Sequence, residues 1–288
     1  MDRAVDLDTR HLRAFAAVCA EGTFTDAAIA LRTTQASVSR SVQRVEATVG
    51  ARVLERSARG VALTAAGERV LAVAHRVLAA VDALAEAAAG RAVLRLGYAW
   101  AALGRHTVAV QRGWRAADGE LVLVHANTAS GGLLEGRSDV AVVRTGLTHP
   151  RLAGATVGTE RRWAALAADD PLAGRPVVGL GELVGRTVAT DAVSGTTGPG
   201  LWPPGADLRF VPVPGVEEWL TLVASGRAVG VTAEATTVQH ARAGVAYVPL
   251  ADAAPVDVRL LWWRDEPPPA LPALLAAARA AYAGAVSP

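Results

Sequence analysis

Between Gly22 and Thr64 the chain reads GTFTDAAIALRTTQASVSRSVQRVEATVGARVLERSARGVALT, an order of signals that few folds accommodate. Upstream, Leu12, Phe15, Ala16 and Cys19 recur at i, i+3, i+4 and i+7, one apolar helical face, and Gly22 closes that helix. Thr23 with Asp26 three residues on forms a capping-box variant at the start of a second, short helix. Its Ala27-Ala28 pair lets another helix come close. Arg32-Thr33 interrupts the pattern. Thr34 then caps a third helix, about 35–49, in which Val38, Val42, Val45 and Val49 form the inward stripe. Two short strand-like runs follow, 52–56 and 61–64, joined by an Arg-bearing turn. The pattern predicts a winged helix-turn-helix.

An amphipathic helix in an ordinary bundle has the same periodicity, so charge has to separate the two readings. All 29 basic residues are Arg, and with heavy Ala and Val usage this reflects a GC-rich genome as readily as a partner. Net charge is only +2. Position is what informs. Residues 31–60 hold six Arg against two Glu, whereas residues 1–30 hold three Arg against five acids. The third helix leaves Gln35, Ser37, Ser39, Arg40, Gln43 and Arg44 off its apolar stripe. Gln pairs with adenine and Arg with guanine in the major groove, and Ser bonds bases or phosphates. Arg56 and Arg59 on the turn reach backbone phosphates or the minor groove.

This stretch resembles the DNA-binding domain of LysR-type transcriptional regulators. The resemblance rests on Leu12 and Phe15, on Gly22-Thr23-Phe24-Thr25 with Ala27-Ala28, and on Gln35 with Ser39-Arg40. It continues through Glu46, Gly50, Arg56, Arg59, Leu63-Thr64 and Gly67, without gaps. Ala36 and Leu54 depart from the family, which commonly has Pro and Phe there. The resemblance implies base contacts from Gln35, Ser37, Ser39, Arg40 and Arg44 behind the Thr34 cap, and wing contacts from Arg56 and Arg59.

Thr64 caps a long helix, about 65–88, with Val70, Ala74, Val77, Val81, Leu84 and Ala88 at alternating spacings of four and three, flanked by Leu71, Leu78 and Ala85. That heptad stripe suits a two-helix contact, and in the family this helix makes the dimer. Gly90 serves as a hinge. From Arg91 onward nine strand-like runs alternate with helices, which implies α/β architecture with a largely parallel sheet. The weaker resemblance here implies two Rossmann-like subdomains, as in a periplasmic solute-binding protein, joined near Thr159 and Leu250. The expected domains are therefore 1–64, 65–90 and 91–288. The last divides into subdomain I (about 91–159 and 251–288) and subdomain II (about 160–250).

Such a fold binds ligands at the C-terminal ends of strands. That rule nominates Trp100 after the first strand, Asn127 and Thr128 after the second, and Arg144 and Thr145 after the third. It adds Ser194, Thr196 and Thr197 after the run 187–190, and Thr232 at the end of a later one. Hydroxyls, Gly-flanked amides and one Arg suit a small organic anion, with Arg144 gripping a carboxylate bidentately. Ala101 lies where many relatives carry Ser or Thr.

Enzymatic readings find little support. The run 195–200, GTTGPG, has no Lys after it and is no P-loop. The six His show no metal-ligand spacing, and the single Cys19 excludes an intramolecular disulfide. No cofactor, metal or catalytic residue is expected. No apolar run spans a bilayer and no signal-peptide core opens the chain, so a cytoplasmic setting is expected. The expected function is a regulator that binds double-stranded DNA at an inverted repeat, as a homodimer or homotetramer, takes a small-molecule effector and contacts RNA polymerase. The alternatives are a ligand-independent regulator with a degenerate cleft, and a solute-binding or enzymatic α/β protein.

Overall fold

The computed structural model describes residues 7–57, 60–88, 93–115 and 119–284. The chain falls into two compact units, 1–91 with 134–137 and 92–133 with 138–288.

The first unit holds α1 (Thr9–Glu21), α2 (Phe24–Ala30), α3 (Gln35–Val49), a hairpin of β1 (Leu54–Ser57) and β2 (Gly60–Leu63), and α4 (Ala65–Ala88). Side-chain caps start these helices as expected. Thr23 Oγ1 accepts from the Asp26 amide at 3.0 Å, Thr34 Oγ1 from Ser37 at 3.2 Å, and Thr64 Oγ1 from Gly67 at 2.9 Å. Leu12, Phe15 and Val18 of α1 pack with Ala27 and Ala28 of α2 and Val38, Val42 and Val45 of α3. The α1 face is rotated from the expected one: Ala14 and Val18 are buried, while Ala16 and Cys19 are half-buried. Burial pushes the Cys19 thiol up to about 12. Val49 is exposed, because α3 ends there and Gly50 turns the chain away at φ 73°. Glu46 Oε1 accepts from the Val53 amide at 2.9 Å, tying α3 to the approach of the hairpin. Gly67 must be glycine for a different reason. A Cβ there would lie 2.0 Å from the carbonyl oxygen of Val53.

The α4 stripe divides. Val70, Leu71, Ala74 and Leu78 pack on the first unit's core, while Val77, Val81 and Leu84 are 41%, 37% and 71% exposed.

The second unit contains two five-stranded sheets. One has the order β4-β3-β5-β12-β6, from β3 (Val93–Tyr98), β4 (Glu120–His125), β5 (Val140–Val143), β6 (Leu152–Glu160) and β12 (Val256–Trp263). Helices α5 (Thr107–Arg115) and α8 (Leu271–Ala283) pack with it. The other has the order β11-β7-β10-β8-β9, from β7 (Arg162–Ala167), β8 (Thr187–Asp191), β9 (Arg209–Val213), β10 (Val229–Ala233) and β11 (Val245–Pro249). Helices α6 (Val216–Ala224) and α7 (Glu234–Gln239) belong to this half. The chain crosses between sheets at 160–162 and returns at 249–256.

Neither sheet is largely parallel. In the first, β3 runs parallel to β4 and β5, but β12 is antiparallel to β5 and β6. In the second, β8 is parallel to β9 and β10, but β7 is antiparallel to β10 and β11. One strand beside a crossing is reversed in each sheet, β12 in the first and β7 in the second, and the other four run together. β6 and α5 have no counterpart among the expected elements. β6 reads LAGATVGTE, and its two glycines suggest a loop. Gly158 is needed because a Cβ would sit 2.3 Å from the Tyr282 ring of α8. α7 ends at Gln239.

The second sheet is covered on both faces, and its alternation shows how. Ala164, Leu166, Val188, Val229 and Val231 enter one cluster with Trp202. Ala165 and Ala189 face the other way, against Trp219 and Val223 of α6. Gly230, between Val229 and Val231, leaves the space that the Trp219 indole fills, and a Cβ would lie 2.0 Å from its Cζ2. Gly230→Ala is expected to cost about 1–3 kcal/mol by overpacking. Urea unfolding followed by Trp fluorescence checks this, and adding Trp219→Leu to the same chain should return part of the loss.

Candidate functional site

Two constellations sit on these frames. On the first unit, α3 shows a polar face. Gln35, Ala36, Arg40, Gln43 and Arg44 are exposed, and Ser37 and Ser39 are half-exposed. The valine stripe points the opposite way into the core, so the polar face is fixed by packing. Thr34 Oγ1 is engaged as acceptor by the Ser37 amide, which leaves its proton for an outside partner. Of the expected wing contacts, Arg59 lies outside the described residues, and so does the side chain of Arg56. The hairpin is anchored: the Val61 amide donates to Gly22 O at 3.1 Å.

On the second unit, a cavity opens at the C-terminal ends of β3, β5, β8 and β10. It encloses about 630 Å³, counting its open mouth. Trp100, Arg144, Thr145, Ser194, Thr196, Thr197 and Thr232 all line it. Asn127 and Thr128 are not among the lining residues. Asn127 Nδ2 donates to Pro214 O at 2.8 Å, and Thr128 Oγ1 accepts from the Gly132 amide at 3.0 Å. Thr128 serves the loop after β4, whereas Asn127 ties that loop to the turn before α6.

Within the cavity, most polar groups already have partners. Trp100 Nε1 donates to Thr236 Oγ1 at 3.0 Å, and Thr236 shares a 2.6 Å contact with Thr232 Oγ1. The Trp100 ring meets Trp219 edge-on at 5.5 Å, so it forms a wall. Ser194 donates to Asp191 Oδ2 at 2.6 Å, and Thr197 to Val231 O at 2.7 Å. Thr196 Oγ1 accepts from Arg162 at 3.1 Å and keeps its own proton. Among the described residues, the hydroxyls of Thr145 and Thr190 and the amides of Gly195, Thr196 and Thr197 make no hydrogen bond. These groups line the space open to a ligand.

Arg144 does not stand free to grip a carboxylate. Its Nε and Nη2 clasp Glu160 at 2.9 and 2.7 Å, while Nη1 and Nη2 donate to Ala101 O and Ala102 O, each at 2.7 Å. Only one of its five N–H groups is left, and the two side chains are 9% and 5% exposed. Burial acts to raise the Glu160 carboxyl, but the charge and hydrogen bonds of Arg144 outweigh it. With Tyr282 and the Ala235 amide they hold it below the usual carboxylate range. The same pairing raises Arg144 against the lowering effect of burial. Tyr282 donates to Glu160 Oε1 at 2.7 Å, and burial first, then the Glu160 charge, pushes its hydroxyl up.

Sequence reasoning missed Asp191, Thr236, Trp219 and the pair partner Glu160. Asp191 ends β8 and falls one residue past the expected strand. Thr236 lies in α7, four residues past Thr232 of β10, a spacing that carries no signal of its own. Glu160 ends a strand that its glycines disguise.

Comparison with known proteins places both halves. Residues 9–68 match the family described as bacterial regulatory helix-turn-helix protein, lysR family, and residues 115–283 match the LysR substrate binding domain. The HTH-type transcriptional regulator TfdT of Cupriavidus pinatubonensis (strain JMP 134 / LMG 1197) is 42% identical over 60 residues. That match spans 21% of this chain and about a quarter, 26%, of that protein. Among solved structures, CbnR, a LysR family transcriptional regulator, superposes with a TM-score of 0.71 at 22% identity, over 96% of this chain and 99% of that one. Full-length CbnR complexed with its target DNA gives 0.70 at 21% identity, with the same coverage. Both share this fold.

Arg144→Ala leaves the Glu160 charge buried and unpaired, at an expected cost of about 3–5 kcal/mol at neutral pH. In the wild type, Glu160 titrates low, so its contribution is present above the unfolded value of about 4.3 and is lost as pH falls through the folded one. In the variant, burial, the largest influence on Glu160, is opposed only by the Tyr282 and Ala235 hydrogen bonds, so the carboxyl rises and protonation relieves the penalty. The stability gap between the two proteins, read by urea unfolding, should narrow from about pH 7 to about pH 4. A gap that does not change with pH would contradict the assignment.

Proposed function

Because the chain belongs to the LysR family of bacterial helix-turn-helix transcriptional regulators, we propose that it binds promoter DNA as a homodimer or homotetramer and that a small molecule in its C-terminal cleft modulates this binding. The observation that carries the DNA half is the α3 face, where Gln35, Arg40 and Arg44 stand exposed opposite a buried valine stripe. Thr34, Gln35, Ser37, Ser39, Arg40 and Arg44 read or approach base edges, and Arg56 and Arg59 hold the backbone. Residues 1–64 form the DNA-binding domain, 65–90 the dimerisation helix and 91–288 the effector domain, with subdomains at about 91–159 with 251–288 and about 160–250.

A dimer follows from the outward half of the α4 stripe. Val77, Val81 and Leu84 stay exposed among the described residues, and a second α4 would bury them as a coiled-coil seam. Two α3 helices related by a two-fold axis read an inverted repeat, with half-sites one helical turn or a multiple apart. The effector lies against Trp100 and uses Thr145, Thr190, the proton of Thr196 and the amides of 195–197. A ligand that fits one arrangement of the two subdomains better than another shifts the population, and with it the placement of the DNA-reading helices. The protein acts in the cytoplasm, on transcription by RNA polymerase, and performs no chemistry on its ligand. No helix among the described residues is long and apolar enough to cross a membrane.

A second reading, a regulator whose cleft takes no ligand, draws on the buried Ala101 and on the engagement of Arg144 with Glu160. Melting temperature against a panel of small carboxylates and neutral aromatics separates the two, since a saturable rise supports a ligand-bound cleft.

Arg40→Ala should cost about 1–3 kcal/mol on the promoter sequence and relax preference at the bases it meets, checked by anisotropy on duplexes with single base-pair changes. Leu84→Glu places a charge on the α4 seam. Sedimentation should then show a monomer with unchanged far-UV dichroism, because Leu84 is 71% exposed and outside the core of the first unit.

A further inference from the structure

Among the described residues, one non-glycine adopts a left-handed backbone: Arg32, at φ 51°. It closes α2 in a Schellman arrangement. The Arg32 amide donates to Ile29 O at 3.0 Å and the Thr33 amide to Ala28 O at 2.9 Å. That position favours glycine, because a Cβ there crowds the neighbouring carbonyl. The same unit uses glycine where α1 and α3 end, with Gly22 at 75° and Gly50 at 73°. Asn or Asp, which tolerate this conformation through local hydrogen bonds, are absent too. An arginine gains nothing locally from the strained backbone. Its side chain is exposed and has no hydrogen bond or ion pair among the described residues. Strain of this kind persists where function holds it.

Location supplies the function. Arg32 comes two residues before the Thr34 cap and three before Gln35, so its Cα lies within about 11 Å of the first base-reading residue. Thr33, Thr34, Gln35 and Ala36 are all exposed beside it. Resting on the reading of α3 as the helix that enters the major groove, we propose that Arg32 is a DNA-backbone contact, its guanidinium paired with a phosphate flanking the bases that α3 reads. The contact fixes how deeply α3 sits and adds no sequence preference of its own.

Three variants of the full-length protein test this on a mixed-sequence DNA duplex and on the chain's own upstream region, by anisotropy across a series of KCl concentrations. Arg32→Gly removes both strain and charge. It should melt at a higher temperature than the wild type, bind both duplexes about five- to tenfold more weakly near 0.1 M salt, and lower the slope of log K against log salt by about 0.9 per protomer. Arg32→Ala keeps the strain and loses the charge, so it should bind as weakly without the gain in melting temperature. Arg32→Lys should keep the wild-type slope. An Arg32→Gly protein with unchanged affinity and slope overturns the proposal. Failure of the wild type itself to show salt-dependent binding, with Arg40→Ala no different, overturns the reading of α3 together with it.

Discussion

A carboxylate buried beside a guanidinium organises the C-terminal two-thirds of the chain. Glu160 ends β6 where the chain crosses to the second sheet, and three elements converge on it: Arg144 beyond β5, Tyr282 of α8 and the Ala235 amide of α7. Taking the pair out of water costs several kcal/mol per ion, and the arrangement offsets that by giving nearly every polar atom a partner. Ala101 O and Ala102 O complete the shell of Arg144. Removal of any member leaves the others desolvated, so the cluster holds one geometry at the point where the chain changes sheets.

Packing rather than polarity organises the N-terminal unit. Its helices are short, and α2 spans only seven residues, too few to persist without tertiary support. Side-chain caps on Thr23, Thr34 and Thr64 set where each helix starts, and the valine stripe of α3 sets which face is left over. The polar face of α3 is therefore a by-product of core burial. The side chains on it can change without touching Phe15, Val18 or Val45, which are fully buried.

Features written in local chemistry were the legible ones. Caps, the glycine stops at Gly22 and Gly50, the α3 stripe and seven of nine cleft residues could be read from the chain because each depends on a few neighbouring positions. Features written in contacts between distant residues were not. β6 is a strand because β12 pairs with it, and its glycines make room for distant side chains, Gly158 for Tyr282 and Gly154 for Leu261. Arg144 lines the cleft as expected, yet its donors are taken by an acid sixteen positions away. An arginine at a strand end announces a charge in the cleft, but its partner depends on where the next strand finishes. Arg32 shows the same limit from the other side, since its sequence neighbours mark a turn and only the backbone angle reveals the strain.

The spent guanidinium has an evolutionary consequence. Arg144, which lines the cavity, is held by Glu160 and two carbonyls, while the groups left without a hydrogen bond belong to threonines and loop amides. Stability and selectivity are thus lodged in separate residues. Under the proposed reading, Thr145 and Thr190 can vary without drawing on the Arg144–Glu160 cluster, whereas Thr196 also accepts a hydrogen bond from the buried Arg162. The open wall of the cleft can therefore vary in sequence while the cluster beside it keeps one geometry.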